Sequence, residues 1–91
     1  ARAISLLAEN LIGKDNSRAA EYYASYIKLV KNDATVMNNY AWVLQQIGEL
    51  TLASETAKRA VNLSPNNLDF KDTYASILIE KKASLKINFN I

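Results

Sequence analysis

Neither cysteine nor histidine occurs anywhere in the 91 residues. Their absence excludes disulfide staples, the usual thiolate and imidazole zinc sites, and nucleophiles of the Ser-His or Cys-His kind. Stability has to come from packing alone. No apolar run approaches the roughly 18 residues that a membrane span needs, so no membrane span is expected. The opening Ala1-Arg2-Ala3 carries neither an initiator Met nor a signal-peptide pattern, and the chain is expected to be a piece of something longer. An excess of one charge is missing too. Eleven Lys and Arg against nine Asp and Glu leave a formal charge of +2, far short of the basic stripe that neutralises a nucleic-acid backbone or holds an anionic bilayer. No nucleic-acid partner is expected. Without an activated nucleophile, a base or a metal set, the chain is not expected to be an enzyme, and no cofactor is implied.

Glycine and proline are nearly absent as well: Gly13, Gly48 and Pro65 are the only examples. So few breakers in a chain that is 49% hydrophobic and 22% charged predict long helices around one small core. Ile4, Leu7, Ala8 and Leu11 fall at the spacing that lines one helical face, which is expected to end near Gly13. Asp15, Asn16 and Ser17 offer cap oxygens for a second helix with a stripe of Ala20, Tyr23, Ala24, Ile27 and Val30. Asn32 and Asp33 open a third, whose face is Met37, Tyr40, Ala41, Leu44 and Ile47, up to Gly48. Leu50, Ala53, Ala57, Ala60 and Val61 line a fourth that stops at Ser64-Pro65-Asn66-Asn67. A fifth starts near Leu68 with a face of Tyr74, Ala75 and Leu78 flanked by Phe70 and Ile77, and Lys81-Lys82 stand where the helix dipole favours cations.

Comparing the faces shows a repeat. Ile4 and Met37, Leu7 and Tyr40, Ala8 and Ala41, Leu11 and Leu44, Ala20 and Ala53, Ala24 and Ala57, and Ile27 and Ala60 are all 33 positions apart, and every pair keeps apolar or small character. A further step of 34 takes Tyr40, Ala41 and Leu44 to Tyr74, Ala75 and Leu78; Met37 alone meets a polar residue, Lys71. Each unit is a helix pair with alanines where two helices must approach closely. One pair cannot bury its own stripe, so the units must stack.

The central unit reads Met37-x2-Tyr40-Ala41-x2-Leu44-x3-Gly48-x-Leu50-x2-Ala53-x3-Ala57-x2-Ala60-x4-Pro65. That spacing resembles the tetratricopeptide repeat, with Met37, Tyr40 and Ala57 departing from the usual Trp, Leu and aromatic. Unit one lacks the closing Pro, and its Gly13 lies two residues earlier in the unit than Gly48 does. The resemblance covers residues 1–82 as units 1–33, 34–67 and a partial 68–82, leaving 83–91 as a tail. It implies an all-α, right-handed superhelical stack of antiparallel helix pairs, a solenoid of about five helices. Pentatricopeptide units, the nearest rival, read RNA and call for more basic groove edges.

In the tetratricopeptide family the first helices of successive units line a concave groove that holds an extended peptide or a partner segment, and the resemblance implies that use here as a binding module or scaffold. Helix three then offers Asn38, Asn39, Trp42, Gln45 and Gln46 beside its buried stripe, helix five Asp69, Asp72, Ser76 and Glu80, and helix one Arg2, Ser5 and Glu9. Such a groove is rich in amides with an acidic end, suited to a neutral or basic segment. Members that clamp a peptide's terminal carboxylate use Lys, Asn and Arg, of which Asn39 alone has a counterpart here. Tyr22, Tyr23 and Tyr26 read as core and rim packing. Asp69 and Asp72 read as compensation of a helix N-terminus.

Leu85, Ile87, Phe89 and Ile91 alternate with polar residues, a strand pattern. This tail is expected to cap the last helix; the alternatives are docking on another subunit, making a homo-oligomer, or on a parent domain, and simple disorder. A second use follows from Asn39-Tyr40-Ala41-Trp42, Pro65-Asn66-Asn67 and Asp72-Thr73-Tyr74-Ala75, which resemble helical segments attached to bacterial envelope thioredoxin-like proteins. That likeness implies a structural extension or self-association domain of a larger protein.

Overall fold

A computed structural model describes the backbone of residues 1–89 and the side chains of residues 1–86. Its described residues form five helices and no strand: α1 (Arg2–Leu11), α2 (Asn16–Leu29), α3 (Ala34–Gln46), α4 (Leu50–Leu63) and α5 (Leu68–Phe89). The fold is all-α.

Short polar side chains set the starts. Asp15 accepts the Arg18 backbone N–H at 3.1 Å, Asp33 accepts that of Val36 at 3.1 Å, and Asn67 accepts that of Phe70 at 3.1 Å. Each satisfies a donor that the first turn of a helix leaves unpaired. Asp33 has a second partner, the Tyr26 hydroxyl at 2.8 Å, so one carboxylate both caps α3 and ties α2 to it. This bond, together with burial, raises the Tyr26 pKa above its ordinary value. Gly48 ends α3 with φ of 84°, a left-handed conformation that costs glycine little, and the Glu49 N–H closes back on the Leu44 carbonyl at 2.9 Å.

Alanines make the interior. Ala8, Ala19, Ala20, Ala41, Ala53, Ala57 and Ala60 are all buried, and Tyr23, Met37, Val43 and Ile77 are the largest fully buried side chains. Small residues let the helix axes approach, and the few large ones interlock between them. Packing follows chain order, each helix against the next, and α5 also reaches back to α3. The molecule measures 44 × 30 × 19 Å, its thinnest dimension about two helix diameters.

Several expected faces turn out rotated. In α1, Leu7 is 48% exposed and Ser5 is buried in its place, its hydroxyl donating to the Arg2 carbonyl at 2.9 Å. In α3, Val36 and Val43 join the buried set, whereas Ile47 lies past the last helical residue and is exposed. In α5, the expected stripe of Tyr74, Ala75 and Leu78 gives way to Phe70 and Ile77, with Tyr74 half-buried and Ala75 and Leu78 exposed. Ala41 and Leu44, the counterparts of Ala75 and Leu78, are covered by α4; among the described residues no helix follows α5 to do the same.

The strand expected from Leu85 onward is not formed. The helix runs without interruption to Phe89, because residues 83–86 extend an existing helix at little cost once it is nucleated. Of the residues meant to cap α5, Leu85 is exposed, the side chains of Ile87 and Phe89 lie outside the described set, and Ile91 lies outside it altogether.

Candidate functional site

The candidate groove residues divide by rotation about α3. Asn38, Trp42 and Gln45 are spaced four and three apart, which places them on one side of the helix. That side meets α5: the Gln45 amide nitrogen donates to the Ser76 hydroxyl at 3.1 Å and to the Glu80 carboxylate at 3.2 Å. Trp42 is 39% exposed beside them. The Asn38 carbonyl oxygen is shut off from solvent and has no hydrogen-bond partner. A buried acceptor left unpaired costs about 1–3 kcal/mol.

Asn39 faces the other way. Its side chain approaches the Tyr23 hydroxyl without the geometry of a hydrogen bond, and that hydroxyl is buried and unpartnered. Burial pushes the Tyr23 pKa up to about 12, the Glu9 carboxylate adds to the rise, and Asn39 opposes it. The Tyr23 and Tyr40 rings pack at 6.3 Å with a 43° tilt, and burial raises Tyr40 too, helped by Glu49. This hydroxyl, on α2 and acted on by Glu9 of α1 and Asn39 of α3, was not among the expected groove residues. A Tyr in place of Phe on the buried stripe of α2 is the one signal that could have marked it.

The remaining candidates are less closely joined. Gln46 sits exposed at the last turn of α3. Asp69 and Asp72 are exposed at the start of α5, where Thr73 donates to the Asp69 carbonyl at 3.1 Å. Gln45, Ser76 and Glu80 are thus brought into contact, Asn38 and Trp42 lie on the same side of α3, and Asn39 belongs to the neighbouring junction with Tyr23.

Two shallow clefts lie elsewhere. One of about 180 Å³ is lined by Asn32, Met37, Arg59, Asn62 and Leu63, and one of about 230 Å³ by Gly48, Glu49, Leu50, Thr51, Lys81, Ser84 and Leu85. Both are smaller than the roughly 300–1,000 Å³ of small-molecule sites, and neither contains a candidate groove residue. Among the described residues no group of three or more His, Cys, Asp or Glu could hold a metal ion, and no helix is long and apolar enough to cross a membrane. No family model matches the chain, and no curated protein matches it.

The tyrosines make stability sensitive to alkali. Folded Tyr23 holds its proton to about pH 12, whereas the unfolded side chain loses it near the ordinary value of 10. Above pH 10 the unfolded state therefore binds fewer protons than the folded one, and stability falls as pH rises toward 12. Tyr23→Phe is expected to leave Tm at pH 7 unchanged or higher, since it deletes an unpartnered hydroxyl, and to flatten the loss of Tm between pH 9 and 11. A steeper alkaline loss in the variant would contradict the assignment.

Proposed function

We propose that this chain is a tetratricopeptide-like interaction module that takes an extended peptide or partner segment across α1, α3 and α5. The observation that carries the reading is Trp42. Its indole is 39% exposed on the side of α3 where the Gln45 amide reaches Ser76 and Glu80, an apolar surface beside polar groups that can bond a peptide backbone. The Asn38 side chain lies on the same side, and its unpaired oxygen joins only if that side chain turns outward. The repeat supports it: Ala8 and Ala41, and Ala20 and Ala53, are 33 positions apart and buried alike. Helices that stack at matching small residues leave their polar sides in one row. On this reading the stack is a right-handed superhelix, and α5 is the first helix of a third unit.

The chemistry favours a neutral or basic segment. Asp69 and Glu80 supply the acidic end on α5, Asp72 lying toward the outward side of that helix, and Glu9 supplies a carboxylate on α1. Binding is expected to be weak to moderate, because the side chains offered to the segment are mostly polar.

Trp42 fluorescence reads this out directly, being the only indole in the chain. Extended peptides of neutral, basic and acidic composition are titrated separately. Saturable shifts are expected with neutral and basic peptides, weaker ones with acidic peptides. For Asn38→Ala and Trp42→Ala, followed by peptide anisotropy, binding is expected to fall about tenfold, equivalent to 1.4 kcal/mol, with Tm unchanged or higher in Asn38→Ala, which deletes an unpaired buried oxygen. Equal affinity in these variants would remove Asn38 and Trp42 from the binding surface.

A further inference from the structure

The outward side of α5 carries a row that no part of the described chain covers. Leu68, Asp72, Ala75, Ile79, Lys82 and Lys86 succeed one another at spacings of four, three, four, three and four. That is the alternation that keeps residues on one seam of a helix pair. All six are exposed; Leu68 and Ile79 keep 72% and 70% of their surface. The buried anchors Phe70 and Ile77 point the opposite way, into the core.

The row is also a palindrome about position 77. Leu68 and Lys86 lie equally far from it, as do Asp72 and Lys82, and Ala75 and Ile79. Two copies of α5 laid antiparallel on a twofold axis there set each residue against its mirror position. Ile79 of one copy then meets Ala75 of the other, large against small. Asp72 meets Lys82, opposite charges twice over. Leu68 meets the aliphatic stem of Lys86, whose ammonium reaches past it to water. A parallel pair would set Asp72 against Asp72 and Lys82 against Lys82, and is disfavoured by like-charge contact. We infer that the outward row of α5 is a self-association surface, through which two copies of this chain pair antiparallel. The twofold makes the interface isologous and closed, so assembly stops at the dimer. It leaves the Gln45–Ser76–Glu80 side of α5 facing α3 and does not depend on peptide binding there.

Sedimentation of the 91-residue chain from micromolar to millimolar concentration is the test. The mass is expected to rise from monomer to dimer and no further. Ile79→Glu is expected to stay monomeric throughout, with unchanged helical circular dichroism, since Ile79 keeps 70% of its surface exposed. Asp72→Lys and Lys82→Asp are each expected to weaken pairing on the order of tenfold or more. Mixed in equal amounts, the two are expected to pair again, because positions 72 and 82 then meet as opposite charges at both ends of the seam. A chain that stays monomeric at millimolar concentration, or a dimer that Ile79→Glu leaves intact, would overturn the proposal. So would a mixture no better paired than its components, which would rule out the antiparallel register.

Discussion

Leu44→Ala is expected to cost about 2–5 kcal/mol, toward the upper part of that range. Leu44 is buried in the cluster that holds Ala41, Ala53, Ala57 and Ile77, where α3, α4 and α5 meet. Truncating it opens a cavity in a cluster that includes the alanines Ala41, Ala53 and Ala57, which have no side chain to swing inward. The void stays open, so the lost contacts add to the lost burial. Domains of this size hold only about 5–15 kcal/mol in total. A fall in Tm of about 10 °C or more should follow, at roughly 4–8 °C per kcal/mol. Gln46→Ala, two residues on and exposed, is expected to stay within about 0.5 kcal/mol. Equal falls in thermal unfolding of the two variants would show that α3 is turned the other way.

Ile77→Ala should cost a similar amount, about 2–5 kcal/mol, but in a different place. Ile77 is fully buried, and with Phe70 and half-buried Tyr74 it fixes α5 to the rest. Because each helix packs mainly on its chain neighbours, the end of the row can loosen while the start holds. Native-state hydrogen exchange is expected to show α5 amides losing protection in Ile77→Ala while α2 amides keep theirs. Leu44→Ala, at the centre of the row, is expected to lower protection throughout. Uniform loss in Ile77→Ala would mean that the five helices unfold as one unit.

These two residues also mark how far the sequence could be read. Leu44 stands in the middle of the repeat, where the 33-residue offset and the helical spacing agree, and its burial was legible. Helix ends were legible for a local reason: Asp15, Asp33, Gly48 and the Ser64-Pro65 step act through their own turn. Ile77 was read as a flank and Leu78 as the stripe, and the structure reverses them. Periodicity says which residues share a face, but burial needs a neighbour, and the covering helix that Leu44 has in α4 has no counterpart for Leu78 among the described residues. Leu7 fails in the same way at the other end of the row. The tail was misread because two alternations over a few residues also satisfy a helix: Leu85 and Phe89 are four apart, one helical turn. In the candidate site, the amides of α3 were legible as residues left over from the buried stripe. The Gln45 bonds to Ser76 and Glu80, and the unpartnered hydroxyl of Tyr23, depend on distances between helices that spacing along the chain does not carry.

Mapping backbone amide shifts by nuclear magnetic resonance while a neutral or basic extended peptide is added tests the binding-module reading most directly. The expected result is a contiguous set of shifted amides at Asn38, Asn39, Trp42, Gln45 and Ser76, with the exposed faces of α2 and α4 unmoved. Shifts concentrated on α2 and α4, or none with any peptide at millimolar concentration, would contradict it.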